Sequence, residues 1–361
     1  MNNTEQTMND IITTPGLFGQ KHSSRDYTKA ECWGKNHFNS SFPASLVAYM
    51  HYKGINPIYL YADKSMNIQQ KEISGTDLFG IDPLSDNAFY AFEAGYSLYD
   101  QFYSGDRESI DLVMQDRAKG LPLCGLEVKL TALPDETTYR LSEDEYGCEI
   151  VVRPPTVCFL VCSICNNYKS PKERQRLLKI LQTVPQIIHW EEADEVAPHY
   201  EAIEKAVVAV CKDMNKKQKP LIIQPIWKTV DRNKRLADDC LDVFVWSDIA
   251  MVRLCLESGQ GLLINRLRRT VIWIYKMLFD YVAYGRFDYV RIVKNQSYGN
   301  NNDKAFSISG RKSHQYMQGP QLLHPRIGKN EIKNIILGGG QNLLSPERRF
   351  DAMIVNTPDL F

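Results

Sequence analysis

Residues 109–130, SIDLVMQDRAKGLPLCGLEVKL, constrain this chain more than any other stretch. Two apolar runs flank a short polar turn that carries a glycine. Ile110–Gln115 and Leu123–Thr131 therefore read as the strands of a β-hairpin, with the turn over Asp116–Gly120. In the second strand Leu126, Val128 and Leu130 alternate with Glu127, Lys129 and Thr131. Side chains two apart share a face, so Glu127 and Lys129 lie together. Two readings compete. One is a solvated sheet face with an ion pair worth less than about 1 kcal/mol. The other is a metal-dependent site for cutting phosphodiesters.

The second reading needs another acid. Simple counting from a turn at Ala118 and Lys119 sets Asp111 opposite Leu126, beside Glu127, and leaves Asp116 at the turn. Asp111 is thus the favoured partner, although an irregular hairpin could reverse that choice in favour of Asp116. Two carboxylates on adjoining strands repel each other and become favourable together around a divalent cation. Mg2+ takes oxygen ligands and keeps several waters, so Asp111, Glu127 and the carbonyl of Val128 suffice. Such an ion polarises a scissile phosphate, and Lys129 would hold the attacking water and offset charge in the transition state. Glu-x-Lys alone does not decide between the readings.

The rest of the chain sets the frame. Its 361 residues are 43% hydrophobic and 24% charged, which is ample for a large core. Asp111–Glu127 chemistry aside, equal numbers of acids and bases, 43 each, argue against a simple nucleic-acid coat. The opening residues show no export pattern, and the apolar run 270–283 is too short to span a bilayer and contains Lys276 and Asp280. A soluble, cytoplasmic protein with no membrane association is expected. Nine cysteines lack any metal-ligand spacing. Cys158, Cys162 and Cys165 lie in an apolar run and read as free buried thiols.

Strands are expected at 57–61, 149–153, 156–164, 219–227 and 242–245. Helices are expected at 44–52, 87–102, 172–183, 201–214, 249–257 and 265–284. In the helix at 87–102 the pattern is Phe89, Phe92, Tyr96 and Tyr99, and Glu93 there is a candidate additional metal ligand against the plainer reading of an exposed glutamate. The last helix is apolar nearly all round and reads as a core helix. Three regions follow: an arm over 1–43, a core over 44–284, and a basic segment with C-terminal elements over 285–361.

Residues 285–330 carry eight Lys or Arg against two acids, with amide and aromatic side chains between them. Arg to guanine and Asn or Gln to adenine are the usual major-groove pairings. Candidate DNA contacts are therefore Arg311, Lys312 and Gln315 there, and Arg25, Lys35, Asn36 and Asn39 in the arm. The plainer reading of both regions is a solvated polar loop. Two other functions fit the same pattern less closely: a DNA-binding protein without catalysis, and a DNA methyltransferase, for which Gly338–Gly340 is the weak hint.

The segments PGLFG, SSRDYTKAECWGKNHFNSSFPASL and GLEVKLTALPD together resemble the HindVP-type restriction endonucleases, whose site is similar to that of the PD-(D/E)xK nucleases. The resemblance implies an α/β restriction-endonuclease-like core, a central mixed β-sheet flanked by helices, with added loops and arms for DNA. Asp111 matches the first acid of the motif, Glu127 the second and Lys129 the lysine. The proline that precedes the first acid in the motif is Ile110 here. The resemblance further implies Mg2+-dependent cleavage of double-stranded DNA at a short palindrome, with GRCGYC as the associated site. A homodimer would read both halves of that palindrome. A cognate DNA methyltransferase is the implied functional partner.

Overall fold

The protein is described by a computed structural model covering residues 22–24, 44, 47, 48, 50–105, 108–128, 150–225, 229, 230, 233, 234, 243–257, 261 and 263–308. Residues 150, 223–225, 229, 230, 233, 234, 243, 244 and 308 are described by backbone alone. A seven-stranded mixed sheet runs in the order β2-β1-β10-β7-β5-β4-β3. Its strands are β1 (Ile58–Ala62), β2 (Ile68–Glu72), β3 (Ala88–Gly95), β4 (Ser109–Asp116), β5 (Leu121–Val128), β7 (Pro220–Pro225) and β10 (Val243–Ser247). β3, β4 and β5 form an antiparallel meander, and β5 then pairs in parallel with β7. Between those two strands the chain makes β6 (Ile150–Val152) and crosses back through helices, as a parallel connection requires. Short β8 (Thr229–Val230) and β9 (Asn233–Lys234) pair with each other.

Helices α2 (Pro154–Cys165), α3 (Pro171–Leu181), α5 (Tyr200–Asp213), α6 (Asp248–Cys255) and α7 (Arg266–Tyr284) pack into one cluster, and α6 rests directly on β1, β7 and β10. A short helix α1 (Gly75–Phe79) and a single turn α4 (Ala193–Val196) complete the described α-helices between residue 52 and α7. α7 is the hub, touching α2, α3, α5, α6 and the following α8 (Tyr289–Asn295). It buries Val271 through Tyr275, more than a full turn, together with Met277 and Leu278, as its nearly all-round apolar pattern requires. Elsewhere α1 lies against the meander. There Phe79 meets Tyr90 edge-on at 5.8 Å, and the Cys124 thiol bonds to the carbonyls of Leu78 and Phe79.

Two expected elements take other forms. Residues 88–95 form strand β3, not a helix. The aromatic spacing that suggested 3.6-residue periodicity belongs to a strand with Tyr90, Ala91 and Phe92 all buried, so alternation is lost. Residues 156–164 form helix α2, not a strand. Pro154 and Pro155 open the helix, where a missing N–H costs nothing, and every residue from Thr156 to Cys165 is buried. An apolar run of this length has no period that separates the two forms. The other expected elements that fall among the described residues stand close to their expected places, whereas β2, α1, α4, β8, β9, α8 and a strand at 306–308 had no counterpart in the sequence pattern. Cys158, Cys162 and Cys165 are free and buried.

Beyond α7, Phe287 pairs with Tyr103, and β11 (Phe306–Ile308) pairs with β6. Buried Arg269 secures this return. Its guanidinium donates to the carbonyls of Asn301, Lys304 and Ala305 and to the Asn302 side chain, and it stacks on Trp273 at 4.3 Å. At the other end of the chain, residues 22–24 lie along β3, where Tyr90 exchanges backbone bonds with His22 and Ser24. No described helix is long and apolar enough to cross a membrane.

Candidate active site

The hairpin sets the site. Near the turn, Asp116 faces Leu121 and Gln115 faces Pro122, but Met114 faces Cys124. Leu123 is therefore an extra residue, a β-bulge, which shifts the register by one. Leu112 then faces Leu126, and the next step sets Asp111 against Glu127 instead of Leu126. The bulge corrects simple counting by one residue. It brings the two acids closer, since the Asp111 carboxylate accepts the N–H of Val128 at 2.7 Å. That N–H belongs to the peptide joining Glu127 to Val128.

Asp111 is half-buried on β4, and Glu127 is 9% exposed on β5. Beside Glu127, β5 pairs with β7 through Glu127–Ile222 and Val128–Ile223. The hydroxyl of Thr156, on the first turn of α2, donates to Glu127 Oε1 at 3.1 Å. The site thus sits where two strands and a helix start meet. Thr156 was not among the sequence candidates, because its segment read as a strand. The Pro-Pro pair ahead of it is the signal that marks a helix start.

Asp116 stands elsewhere. Its Oδ1 accepts the N–H groups of Ala118 and Lys119, and its Oδ2 pairs with Lys119 at 3.1 Å. The Lys119 bond, with those backbone donors, holds its carboxyl below the usual carboxylate range. This is the work of a turn residue.

Glu93 lies in β3 between Phe92, which faces Leu112, and Ala94, which faces Ile110, so its register position is beside Asp111. It is exposed, and its φ of 48° breaks the strand locally. Among the described residues no three His, Cys, Asp or Glu side chains converge as a metal-holding group. Glu93 is therefore a neighbour of the pair in register, not a third member of a cluster. It stands on a strand, where the sequence pattern had suggested a helix.

The donor set favours one kind of ion. Asp111 and Glu127 offer hard oxygens, with no imidazole or thiolate gathered beside them among the described residues. One or two carboxylates with waters and phosphate oxygens is the usual environment of Mg2+. Zinc would call for nitrogen or sulfur ligands. Lys129, Arg25, Lys35, Asn36, Asn39, Arg311, Lys312 and Gln315 lie outside the described residues.

A mixed seven-stranded sheet flanked by helices, with a three-strand meander followed by a parallel fourth strand, is consistent with a restriction-endonuclease-like core. The chain belongs to the HindVP restriction endonuclease family, whose model matches residues 33–361. It is similar to the type II restriction enzyme HgiDI of Herpetosiphon aurantiacus, with 39% identity over 98% of this chain and 99% of that protein. It is also similar to the probable type II restriction enzyme HindVP of Haemophilus influenzae, with 42% identity over 96% of this chain and 95% of that one. No solved structure matches. Membership places the chain among the type II restriction endonucleases and removes the methyltransferase and non-catalytic alternatives.

Proposed function

We propose that this protein cleaves both strands of duplex DNA at a short palindrome, GRCGYC, as a Mg2+-dependent homodimer. The observation that carries the reading is the meeting of Asp111 with the Glu127–Val128 peptide in a chain of this family. Asp111, Glu127 and the Val128 carbonyl would hold the cation. When bound, Mg2+ supplies polarisation of the scissile phosphate and makes water near it more acidic. Lys129 follows Val128 directly; as a neutral amine it would orient the attacking water and take up its proton, and the ammonium so formed would offset charge on the phosphate.

Arg25, Lys35, Asn36 and Asn39 of the arm (1–43), with Arg311, Lys312 and Gln315 of the basic segment (285–361), would contact DNA around the core (44–284). Phosphate contacts position the duplex, and contacts to base edges choose the sequence. A palindrome cut on both strands calls for two sites related by a two-fold axis, one from each protomer. A cognate methyltransferase would protect the same sequence in the host.

The test is digestion of a plasmid of known sequence with Mg2+ and with EDTA, followed by sequencing of the fragment ends. Ends that fall only at GRCGYC, and only with Mg2+, are expected. Ends at another sequence would replace the proposed specificity, and cleavage in EDTA would overturn the cation requirement.

A further inference from the structure

We infer that the Thr156 hydroxyl is a positioning group for the reaction: it fixes the orientation of the Glu127 carboxyl, and through it the geometry of the cation site. The inference rests on the reading above, in which Glu127 binds the cation.

The argument begins with the acceptors that a helical threonine normally uses. Such a hydroxyl bonds back to a carbonyl three or four residues earlier. Thr270 does this in α7, donating to the Arg266 carbonyl at 2.8 Å. At Thr156 the corresponding carbonyls are those of Val152 and Arg153, and the hydroxyl bonds to neither. Val152 accepts the N–H of Ala305 at 2.8 Å, and Arg153 accepts the N–H of Val157 at 3.2 Å. The hydroxyl instead crosses to β5 and donates to Glu127 Oε1.

Thr156 is fully buried, and Glu127 is buried but for 9% of its surface. A buried carboxyl gains much from a fixed donor and loses much when one is withdrawn. The start of α2 supplies few others. Pro154 and Pro155 have no N–H, and Arg153 makes no side-chain cap. The donor is also rigidly mounted. Threonine is stiff at χ1, and the backbone just ahead of it is pinned by the pairing of β6 with β11. Thr156 touches neither phosphate nor cation in this scheme. It acts only through Glu127, as groups behind metal ligands commonly do.

The test uses the full-length protein. Mn2+ binding is measured directly by electron paramagnetic resonance of the free ion for wild type, Thr156→Val, Thr156→Ser and Glu127→Gln. The Mg2+ dependence of plasmid cleavage and the melting temperature are measured alongside. Thr156→Val is expected to weaken Mn2+ binding by about tenfold to a hundredfold and to raise the Mg2+ concentration needed for cleavage. Thr156→Ser, which keeps the hydroxyl, should restore most of both. Mn2+ binding by Thr156→Val equal to wild type, with binding lost in Glu127→Gln, would overturn the inference alone. Undiminished binding by Glu127→Gln would overturn the cation site and the inference with it. Thr156→Ala is the second hydroxyl-free variant should valine not fold. Unfolding of both would assign Thr156 to the core and also overturn the inference.

Discussion

At the scale of single residues, the account turns on which acids meet. The Asp111 carboxylate reaches the peptide beside Glu127, while Asp116 is occupied by the turn and Lys119. Asp111→Ala, Glu127→Ala and Lys129→Ala are each expected to lower cleavage by at least about a hundredfold while specific binding, followed by gel shift without divalent ions, persists. Asp116→Ala should leave cleavage intact. Activity lost in Asp116→Ala but kept in Asp111→Ala would reverse the choice of first acid. The hairpin that brings Asp111 beside Glu127 was legible in the sequence, because alternating side chains permit counting. The one-residue offset was not legible. A bulge at Leu123 adds a residue without changing the apolar pattern, and only the paired backbone reveals it. Thr156 was hidden for another reason: its role depends on a helix start that the apolar run disguised.

At the scale of elements, the hairpin and α6 make separate demands. Gly125 stands two residues before Glu127, where an added side chain would require the buried Ile110 side chain to shift. A Cβ there would lie 2.8 Å from Ile110 Cδ1 and 3.3 Å from the Tyr96 ring. Gly125→Ala should therefore destabilise the fold by about 1–3 kcal/mol and depress cleavage, as read by thermal melting and plasmid digestion. An unchanged melting temperature would contradict that packing.

Asp248 opens α6 in full burial. It accepts the Ser163 hydroxyl at 2.7 Å and the N–H groups of Lys219 and Ile249. Burial, outweighing those bonds, pushes its carboxyl up to about 6. An unfolded aspartate titrates near 3.9, so the folded state holds the proton more tightly. Stability from this group is fully present below about pH 4, falls as pH rises through about 6, and is level above, a change on the order of 3 kcal/mol. Asp248→Asn keeps an acceptor for both backbone donors and lets the Ser163 hydroxyl turn to accept. It should flatten the pH dependence of the melting temperature across that window, and an unaltered slope would contradict the assignment.

α3 and α5 were legible because their burial is one-sided. β3 and α2 were not, since tertiary burial on several sides erases the period that tells strand from helix.

At the scale of the molecule, the described fold brings the chain to the place where the basic segment departs. β11 pairs with β6 just ahead of α2, and α2 carries the residue that contacts Glu127. The chain thus leaves Ile308 for Arg311 and Lys312 from a strand tied to the site's own supports. If those residues meet phosphates, Arg311→Ala should weaken DNA binding and make it less sensitive to salt, lowering the slope of log affinity against log salt by about one. Binding with an unchanged salt slope would remove Arg311 from the phosphate contacts. The mixed sheet and its helices were legible as a fold class. The region over which DNA would be read was legible only as composition, because base readout depends on geometry that charge and amide content do not encode.

The central claim is that a divalent cation at Asp111 and Glu127 drives cleavage. It is tested most directly by comparing wild type with Glu127→Ala on a plasmid carrying the recognition sequence, with and without Mg2+, at protein concentrations that give equal specific binding. Cleavage by the wild type with Mg2+ alone, and none by the variant under any condition, is the expected result. Full cleavage by Glu127→Ala would contradict the account.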